Sequence, residues 1–101
     1  MVEETIPVNY SGLSILSGGE QEELKSLVEG IVAKTVRGTK LFSFDLRVKT
    51  LHKAGERRLY QFDLHSRIGR KLLTTSAEDW DLHTVTHKVF DEMRKRAEKL
   101  L

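Results

Sequence analysis

Two similar segments decide the fold of this chain: residues 41–49 read LFSFDLRVK, and residues 59–67 read LYQFDLHSR. Apolar and polar side chains alternate strictly in both, with Phe44 in the first and Phe62 in the second on the apolar side. Successive side chains of a strand point to opposite faces, so the alternation predicts two strands with one buried and one wet face. The polar segment 52–56 between them contains a glycine and predicts a hairpin connection.

Helical spacing precedes and follows these strands. Ser17 and Glu20 have the form of a capping box, and the apolar periodicity after them runs to Val36, where Gly38 predicts the helix stop. A second helix is expected to begin within residues 76–81, whose acidic side chains suit the positive end of the helix dipole, and to end in a basic stretch. Its predicted core face comprises Leu82, Val85, Val89, Met93, Ala97 and Leu100, with Phe90 at the margin.

Two shorter strands complete the predicted sheet. Residues 5–11 contain Pro7, which has no backbone N–H, so this strand is expected at a sheet edge. Gly69 predicts a second turn, which leads into a short strand at residues 72–75. The predicted order is β-α-β-β-β-α, an α+β fold in which two helices pack on one face of a four-stranded sheet. A length of 101 residues predicts one domain over 1–101.

The charge of the chain is distributed unevenly, although its net value is only +2. Residues 1–36 carry 2 basic and 6 acidic side chains, a net of −4, whereas residues 37–101 carry 15 basic and 9 acidic ones, a net of +6. Positive charge concentrated on part of a small domain is typical of a protein that binds a polyanion. Ordinary solubilising charge explains the composition equally well.

Several classes of function lack any signal in the sequence. There is no cysteine, and no run of apolar residues is long enough to span a membrane. Glu3 and Glu4 stand where a secretion signal would carry basic residues, so a cytoplasmic location is expected. No phosphate-binding loop or nucleophile motif is present, and Asp45 and Asp63 alternate with basic residues in the manner of cross-strand pairs. We therefore predict a non-enzyme with no cofactor.

The last helix carries a row of lysines. Lys88, Lys95 and Lys99 fall in one strip beside the apolar face, and the row spans roughly 16 Å at 1.5 Å per residue. Arg96 lies at the border of the apolar face, and Glu92 interrupts the strip. Ammonium groups at this spacing suit successive phosphates of a nucleic acid. The alternative is a solvated helix face.

Two other groups of residues predict different partners. Ser26, Gly30 and Ala33 form a strip of small residues on the first helix, which would let another backbone come close. His83 and His87 lie four residues apart on the last helix, with Asp91 four residues further on, a spacing that places three possible metal ligands on one face. A structural zinc site needs four ligands, however, and the sequence supplies no cysteine, so we predict no metal site.

The segment SAEDWDL at residues 76–82 leads into Val85, Val89 and Met93 and then into a basic stretch. This segment resembles the one that closes the fourth strand and opens the last helix in the ribosome hibernation-promoting factor and ribosome-associated inhibitor family. The LRVK sequence at residues 46–49 and the Leu-His pair at residues 64–65 fit the same family. The resemblance extends over residues 7–101 and is specific around residues 76–99.

The resemblance implies a function and a set of site residues. Members of the family are small cytoplasmic proteins that occupy the decoding region of the small ribosomal subunit, contact its rRNA and silence translation under stress. Their RNA-contacting residues on the last helix map onto Lys95 and Lys99, while a third maps onto Glu92, and Lys88 stands one turn earlier. The predicted RNA-binding residues are Lys25, Lys34, Arg37, Lys88, Lys95, Arg96 and Lys99.

Other functions remain open at this stage. A double-stranded-RNA-binding domain also places two helices on one face of an antiparallel sheet, but it begins with a helix and has its basic cluster at the start of its last helix. A small protein-interaction domain would use the Ser26, Gly30 and Ala33 strip or the edge of the first strand. With no cysteine and with Pro7 in that edge strand, the chain is expected to be a monomer off the ribosome.

Overall fold

The computed structural model describes residues 8–35, 43–55, 57–68 and 70–99. Along the chain it contains β1 (Val8–Ser11), a short 3-10 helix (Leu13–Ile15), α1 (Gly18–Thr35), β2 (Ser43–Ala54), β3 (Arg57–Ile68), β4 (Lys71–Asp79) and α2 (Leu82–Glu98). This order confirms the predicted α+β fold. It argues against the double-stranded-RNA-binding domain, because a strand of the sheet precedes the first helix. Predictions on Pro7, Val36, Arg37, Gly38, Phe42, Gly69 and Leu100 lie outside the described residues.

The sheet has the strand order β1-β2-β3-β4, so β1 lies at an edge as predicted. β1 runs parallel to β2, and the other two pairs are antiparallel. Parallel neighbours need a crossover connection, which α1 supplies. Gly12 ends β1 at a φ of +79°, and a side chain there would overlap the backbone oxygen of Val48. The turn into the 3-10 helix therefore requires glycine at this position.

The predicted hairpin between β2 and β3 is shorter than the sequence suggested. Residues 52–54 were expected to belong to the connection, but they pair with β3 up to Ala54 opposite Arg57. The register shifts between Thr50 and His52, a bulge that resets the alternation beyond the strict pattern of residues 41–49. Gly55 then turns the chain at a φ of +62°.

The last strand is longer than predicted, and the last helix begins at the very end of the predicted range. Residues 76–79 belong to β4, where Ser76 pairs with Asp63 and donates a hydrogen bond of 2.5 Å to its carboxylate. Pairing with β3 therefore overrides the acidic helix-start signal of this segment. The helix begins after Asp81, whose side chain accepts a hydrogen bond of 2.9 Å from the backbone N–H of Thr84. Asp81 is thus the N-cap of α2.

The predicted capping box at the start of α1 is confirmed. Ser17 Oγ accepts from the Glu20 N–H at 3.2 Å, and Glu20 Oε1 accepts from the Ser17 N–H at 3.1 Å. Each side chain thereby satisfies a backbone donor that the helix leaves unpaired.

One hydrophobic core lies between the sheet and the two helices. Val28 of α1, the inward residues of β2 and β3, and Met93 of α2 belong to it, as predicted. Phe90 was expected at the margin but is 3% exposed, with its ring 5.5 Å from that of Phe44. The buried residues of the core are Leu16, Leu24, Val28, Val32, Phe44, Leu46, Val48, Tyr60, Phe62, Leu64, Leu82, Val85, Val89, Phe90, Met93 and Ala97.

The topology gives the domain two distinct ends. The N-cap end holds Ser17, Asp81 and the β2–β3 turn, because Ile15 contacts Arg58 and Asp81 follows directly on β4. Since β1 and β2 are parallel, α1 must carry the chain back from the end of β1 to the start of β2. The C-cap end therefore holds the last turn of α1, the start of β2 at Ser43 and the β3–β4 turn between Ile68 and Lys71.

Candidate nucleic-acid interface

Contacts between α2 and β4 fix where the basic residues of α2 lie. Lys88 Nζ donates to Asp79 Oδ2 at 2.7 Å, Thr75 Oγ1 donates to the Val89 carbonyl at 3.0 Å, and Arg96 contacts Thr74. Higher residue numbers on α2 thus meet lower numbers on β4, so α2 runs back along β4 towards the C-cap end. Lys95, Arg96 and Lys99 stand in or just after the last turn of α2, at that end.

Lys88 does not stand free in the predicted lysine row. Its ammonium group is held by Asp79, and its side chain is 52% exposed. The pKa of the Asp79 carboxyl lies below its usual value, chiefly because Lys88 donates a hydrogen bond to it. An RNA phosphate would have to compete with this carboxylate for Lys88, so the structure separates Lys88 from Lys95 and Lys99.

Arg96 is also partly committed to the fold. Its Nη1 atom donates a hydrogen bond of 2.9 Å to the backbone oxygen of Thr74. β4 is an edge strand of the sheet, so this bond joins the last turn of α2 to the sheet edge. Arg96 supplies one donor to that edge, and its guanidinium retains other donors for a ligand.

Lys95 and Lys99 are less engaged by carboxylates than Lys88 among the described residues. The side chain of Lys95 is 61% exposed, and its only described ion pair is with Glu92, at 3.9 Å. Lys99 is exposed at the C-cap position of α2, where a cation also suits the negative end of the helix dipole. Exposed pairs at this distance contribute little energy, so Lys95 can exchange Glu92 for a phosphate at small cost.

The two described basic residues of α1 occupy different environments. Lys34 is exposed in the last turn of α1 and therefore lies at the C-cap end. Lys25 is exposed nearer the start of the helix, with Glu22 three residues before it and Glu29 four residues after it. Residues at these spacings are neighbours on a helix surface, so the two glutamates offset the charge of Lys25.

The N-cap end is built from contacts among its own side chains. Tyr60 donates a hydrogen bond of 2.6 Å from its hydroxyl to Glu20 Oε2, and Arg58 donates one of 2.8 Å to the carbonyl of Ile15. Arg58 also lies 3.8 Å from Glu20. The hydrogen bond from Tyr60 holds the pKa of Glu20 below its ordinary value. Burial, together with that bond, raises the pKa of Tyr60 to about 12.

The histidines that suggested a metal site do not form one with their helix neighbours. His83 Nε2 contacts Glu23 Oε1, which ties the first turn of α2 to the N-terminal half of α1. Over residues 8–35, 43–55, 57–68 and 70–99, no group of three His, Asp or Glu side chains has the geometry to hold a metal ion. None of the helices described there is long and apolar enough to cross a membrane.

Two other surfaces that the sequence patterns indicated are present in the structure. Ser26, Gly30 and Ala33 are exposed on α1, and no atom would obstruct a side chain placed at Gly30. On the outer face of the sheet, Lys49 lies 3.3 Å from Asp63 across β2 and β3, which confirms the expected cross-strand pairing for Asp63. No ion pair of the described residues includes Asp45, the other expected member. Neither surface shows a pattern that selects a partner.

The sequence did not reveal which acidic or backbone groups would engage the basic residues. Asp79 lies on β4 beyond residue 75, where that strand was predicted to end, and the contact of Arg96 with the backbone of Thr74 was not anticipated either. Glu23 meets His83 across 60 positions of the chain. Only the packing of α2 on β4 and beside α1 reveals these pairs, because no local spacing relates their members.

Comparison with known proteins shows what this arrangement resembles. No protein-family model matches the chain, and no significant match was found among curated proteins. A ribosomal subunit interface protein from Coxiella burnetii superposes with a TM-score of 0.63 at 11% identity, covering 93% of this chain and 96% of that protein. The N-terminal domain of Protein Y from Thermus thermophilus superposes with a TM-score of 0.62 at 16% identity, covering 94% and 96%.

The chain has the fold of these two proteins. The match extends over nearly the full length of both partners, so it includes the sheet order and both helices. It confirms, at the level of the fold, the resemblance that the SAEDWDL segment and the element order indicated. At 11% and 16% identity the likeness establishes architecture alone, so the function has to be argued from the chain's own surface.

Proposed function

We propose that this chain is a ribosome-binding protein of the hibernation-promoting type, which contacts small-subunit rRNA near the decoding region and inhibits translation. It acts in the cytoplasm as a monomer, by occupancy and without catalysis. The fold is shared with a protein named for the ribosomal subunit interface and with Protein Y. The observation that carries the proposal is the accumulation of exposed cations at the C-cap end of this same fold.

The cations of the C-cap end would bind phosphates in the following way. Lys34, Lys95 and Lys99 present ammonium groups that need no fixed geometry to meet a phosphate. Arg96 adds a guanidinium whose position is fixed by its bond to Thr74. Each neutralised phosphate releases condensed counterions, and this release drives binding at low salt.

The proposal ranks the predicted RNA-binding residues. Lys95, Lys99, Lys34 and Arg96 make the main contacts, because they are exposed at one end of the domain. Lys88 contributes less, because Asp79 holds it, and Lys25 contributes least, because Glu22 and Glu29 flank it. Arg37 lies outside the described residues and remains a predicted contact.

Co-sedimentation with purified small ribosomal subunits over a range of salt concentrations tests this function. We expect binding at low salt, with a logarithmic affinity that falls linearly with the logarithm of salt concentration. The same protein added to a translation reaction should reduce synthesis in proportion to ribosome occupancy. Binding that does not depend on salt, or occupancy without inhibition, would contradict the proposal.

A further inference from the structure

A second group of cations lies at the C-cap end but belongs to the sheet. Arg67 is the last residue of β3 whose side chain points to the outer face, Arg70 lies in the β3–β4 turn, and Lys71 begins β4. All three are exposed, and no ion pair with a carboxylate joins any of them within the described part of the chain. We call these three residues the turn cluster.

The turn cluster faces both sides of the sheet. Lys71 is paired with Ile68, whose side chain packs against the core, so both lie on the helix-covered face. Arg67 is paired with Ser43 on one side and Leu72 on the other, and it lies on the outer face beside Arg47 and His65. Arg70 occupies the turn between these two positions. The cluster therefore covers the end of the sheet from the outer face to the helices.

The path of α2 brings the turn cluster next to the cations of the helices. Arg96 contacts Thr74, only three residues after Lys71. Lys99 stands about 4.5 Å further along the helix axis at 1.5 Å per residue, which carries it past Thr74 towards the start of β4. Lys95, Lys99 and the turn cluster thus belong to one end of the domain, although up to 32 positions of sequence separate their members.

Few carboxylates compensate this charge. On α2 the nearest acidic residues are Glu92 and Glu98, and these already lie beside Lys95 and Arg94. Residues 64–77 contain no acidic residue. The next one along the chain, Glu78, lies near the far end of β4. Asp45 lines the same outer surface as Arg67 and offsets part of its charge, whereas no ion pair of the described residues joins a carboxylate to Arg70 or Lys71. The turn cluster therefore keeps a net positive charge, which concentrates anions at that surface.

We propose that the turn cluster is a second phosphate-binding element, which grips the sugar-phosphate backbone of rRNA next to the strand bound by Lys95 and Lys99. This inference rests on the proposed function and extends it to a part of the chain that the sequence did not single out. Arg70 and Arg67 supply planar groups that can bind one phosphate through two hydrogen bonds, and Lys71 supplies a point charge. The end of the domain then presents two cationic elements, one on α2 and one on the sheet.

Neutralising variants test the turn cluster against a matched lysine elsewhere on the sheet. The variant R70Q/K71Q removes two charges at the turn, and Lys71→Gln removes one. Lys49→Gln is the control, because Lys49 is also an exposed strand lysine but pairs with Asp63. In the sheet register Lys49 lies level with Glu78 of β4. Glu78 is about 23 Å from Lys71 along that strand at 3.3 Å per residue, so the control lies far from the turn cluster. Affinity for purified small subunits is measured from 50 to 200 mM salt, and thermal unfolding checks the fold of each variant.

We expect R70Q/K71Q to lower the salt slope by about 1.5, since each phosphate contact contributes about 0.7–0.9 to it. Lys71→Gln should lower the slope by about half as much, and Lys49→Gln should leave it unchanged.

If R70Q/K71Q binds with the wild-type slope while K95Q/K99Q does not, the turn cluster is no binding element and the proposed function stands. If Lys49→Gln weakens binding as much as Lys71→Gln, net charge and not the turn cluster is responsible. If the wild-type chain does not bind the subunits, both proposals fail.

Discussion

The two ends of this domain use charged side chains in opposite ways. At the N-cap end, Glu20, Tyr60 and Arg58 satisfy one another, and His83 contacts Glu23. At the C-cap end, Lys95 and Lys99 are exposed, and the one ion pair that either forms with another described residue joins Lys95 to Glu92 at 3.9 Å. Charges that are paired and hydrogen-bonded stabilise the fold, whereas charges left in water are available to a ligand. The comparison shows that the N-cap end uses its charges within the fold, and we therefore expect the C-cap end to be the binding end.

Reversing charge at the C-cap end should have the largest effect of all. We expect K95E/K99E to weaken binding to small ribosomal subunits by about 100-fold or more, at about 1.4 kcal/mol or more for each reversed charge. Both side chains are exposed, so the midpoint of thermal unfolding should stay close to that of the wild type. Titration of labelled protein with subunits measures the loss. An unchanged affinity would show that α2 does not face the RNA.

Removing a paired charge at the N-cap end should affect stability instead. Glu20→Ala breaks the capping box and the bond from Tyr60, and we expect it to lower the free energy of unfolding by about 1–3 kcal/mol. Glu22→Ala, an exposed change on the same helix turn, is the matched control and should cost less than about 0.5 kcal/mol. Urea denaturation measures both. Equal losses in the two variants would refute the structural role of Glu20.

The same network predicts how stability depends on pH. The folded-state pKa of Glu20 is lowered, so its contribution is present above its usual value of 4.5 and is lost as the pH falls through the folded pKa. The folded-state pKa of Tyr60 is raised from 10.0 to about 12, so its contribution is complete below pH 10 and is lost as the pH rises towards 12. Urea denaturation across these ranges should show both declines.

Two substitutions test whether Glu20 and Tyr60 cause this pH profile. Glu20→Ala should abolish the contribution of Glu20 to the acidic branch, and Tyr60→Phe that of Tyr60 to the alkaline branch, because each removes the group that titrates. Each should also weaken the other branch, because the two groups share one hydrogen bond. At a pH where both variants remain folded, their affinity for small ribosomal subunits should equal that of the wild type. A profile that the two substitutions leave unaltered would mean that other groups dominate the linkage.

The smallest effect is expected at Lys88, which lies between the two ends along α2. Lys88→Gln breaks the exposed pair with Asp79 and should cost about 0–1 kcal/mol of stability. Because Asp79 already neutralises this lysine, binding should weaken less than in Lys95→Gln. Parallel titrations of the two variants with small ribosomal subunits measure the difference in affinity. A larger loss of affinity for Lys88→Gln than for Lys95→Gln would show that Lys88 is a main contact.

Most of the fold could be predicted from the sequence, because strand alternation and helix capping each depend on residues that are close together in the chain. The alternation in residues 41–49 and 59–67 identified the central strands, and Ser17 with Glu20 identified the start of α1. The prediction was wrong at residues 76–79, where acidic side chains suggested a helix start. These residues form the end of β4, because pairing with β3 across the sheet outweighs the local signal.

The candidate interface was less predictable, because it depends on which residues the topology brings together. Helical spacing identified Lys95 and Lys99 correctly as exposed neighbours, but it could not show that Asp79 holds Lys88. Likewise, Arg70 and Lys71 stand in a turn and carry no motif. Their proximity to the last turn of α2 follows only from the direction in which α2 runs along β4.

A probe on each end of α1 tests the central claim most directly. The chain has no cysteine, so Ala33→Cys and Glu22→Cys each offer one attachment point for an iron chelate that cleaves nearby RNA. Both residues are exposed on α1, about 16 Å apart along its axis. With small ribosomal subunits, the account predicts strong rRNA cleavage from position 33, at the C-cap end, and much weaker cleavage from position 22. Cleavage from position 22 that equals or exceeds that from position 33 would contradict it.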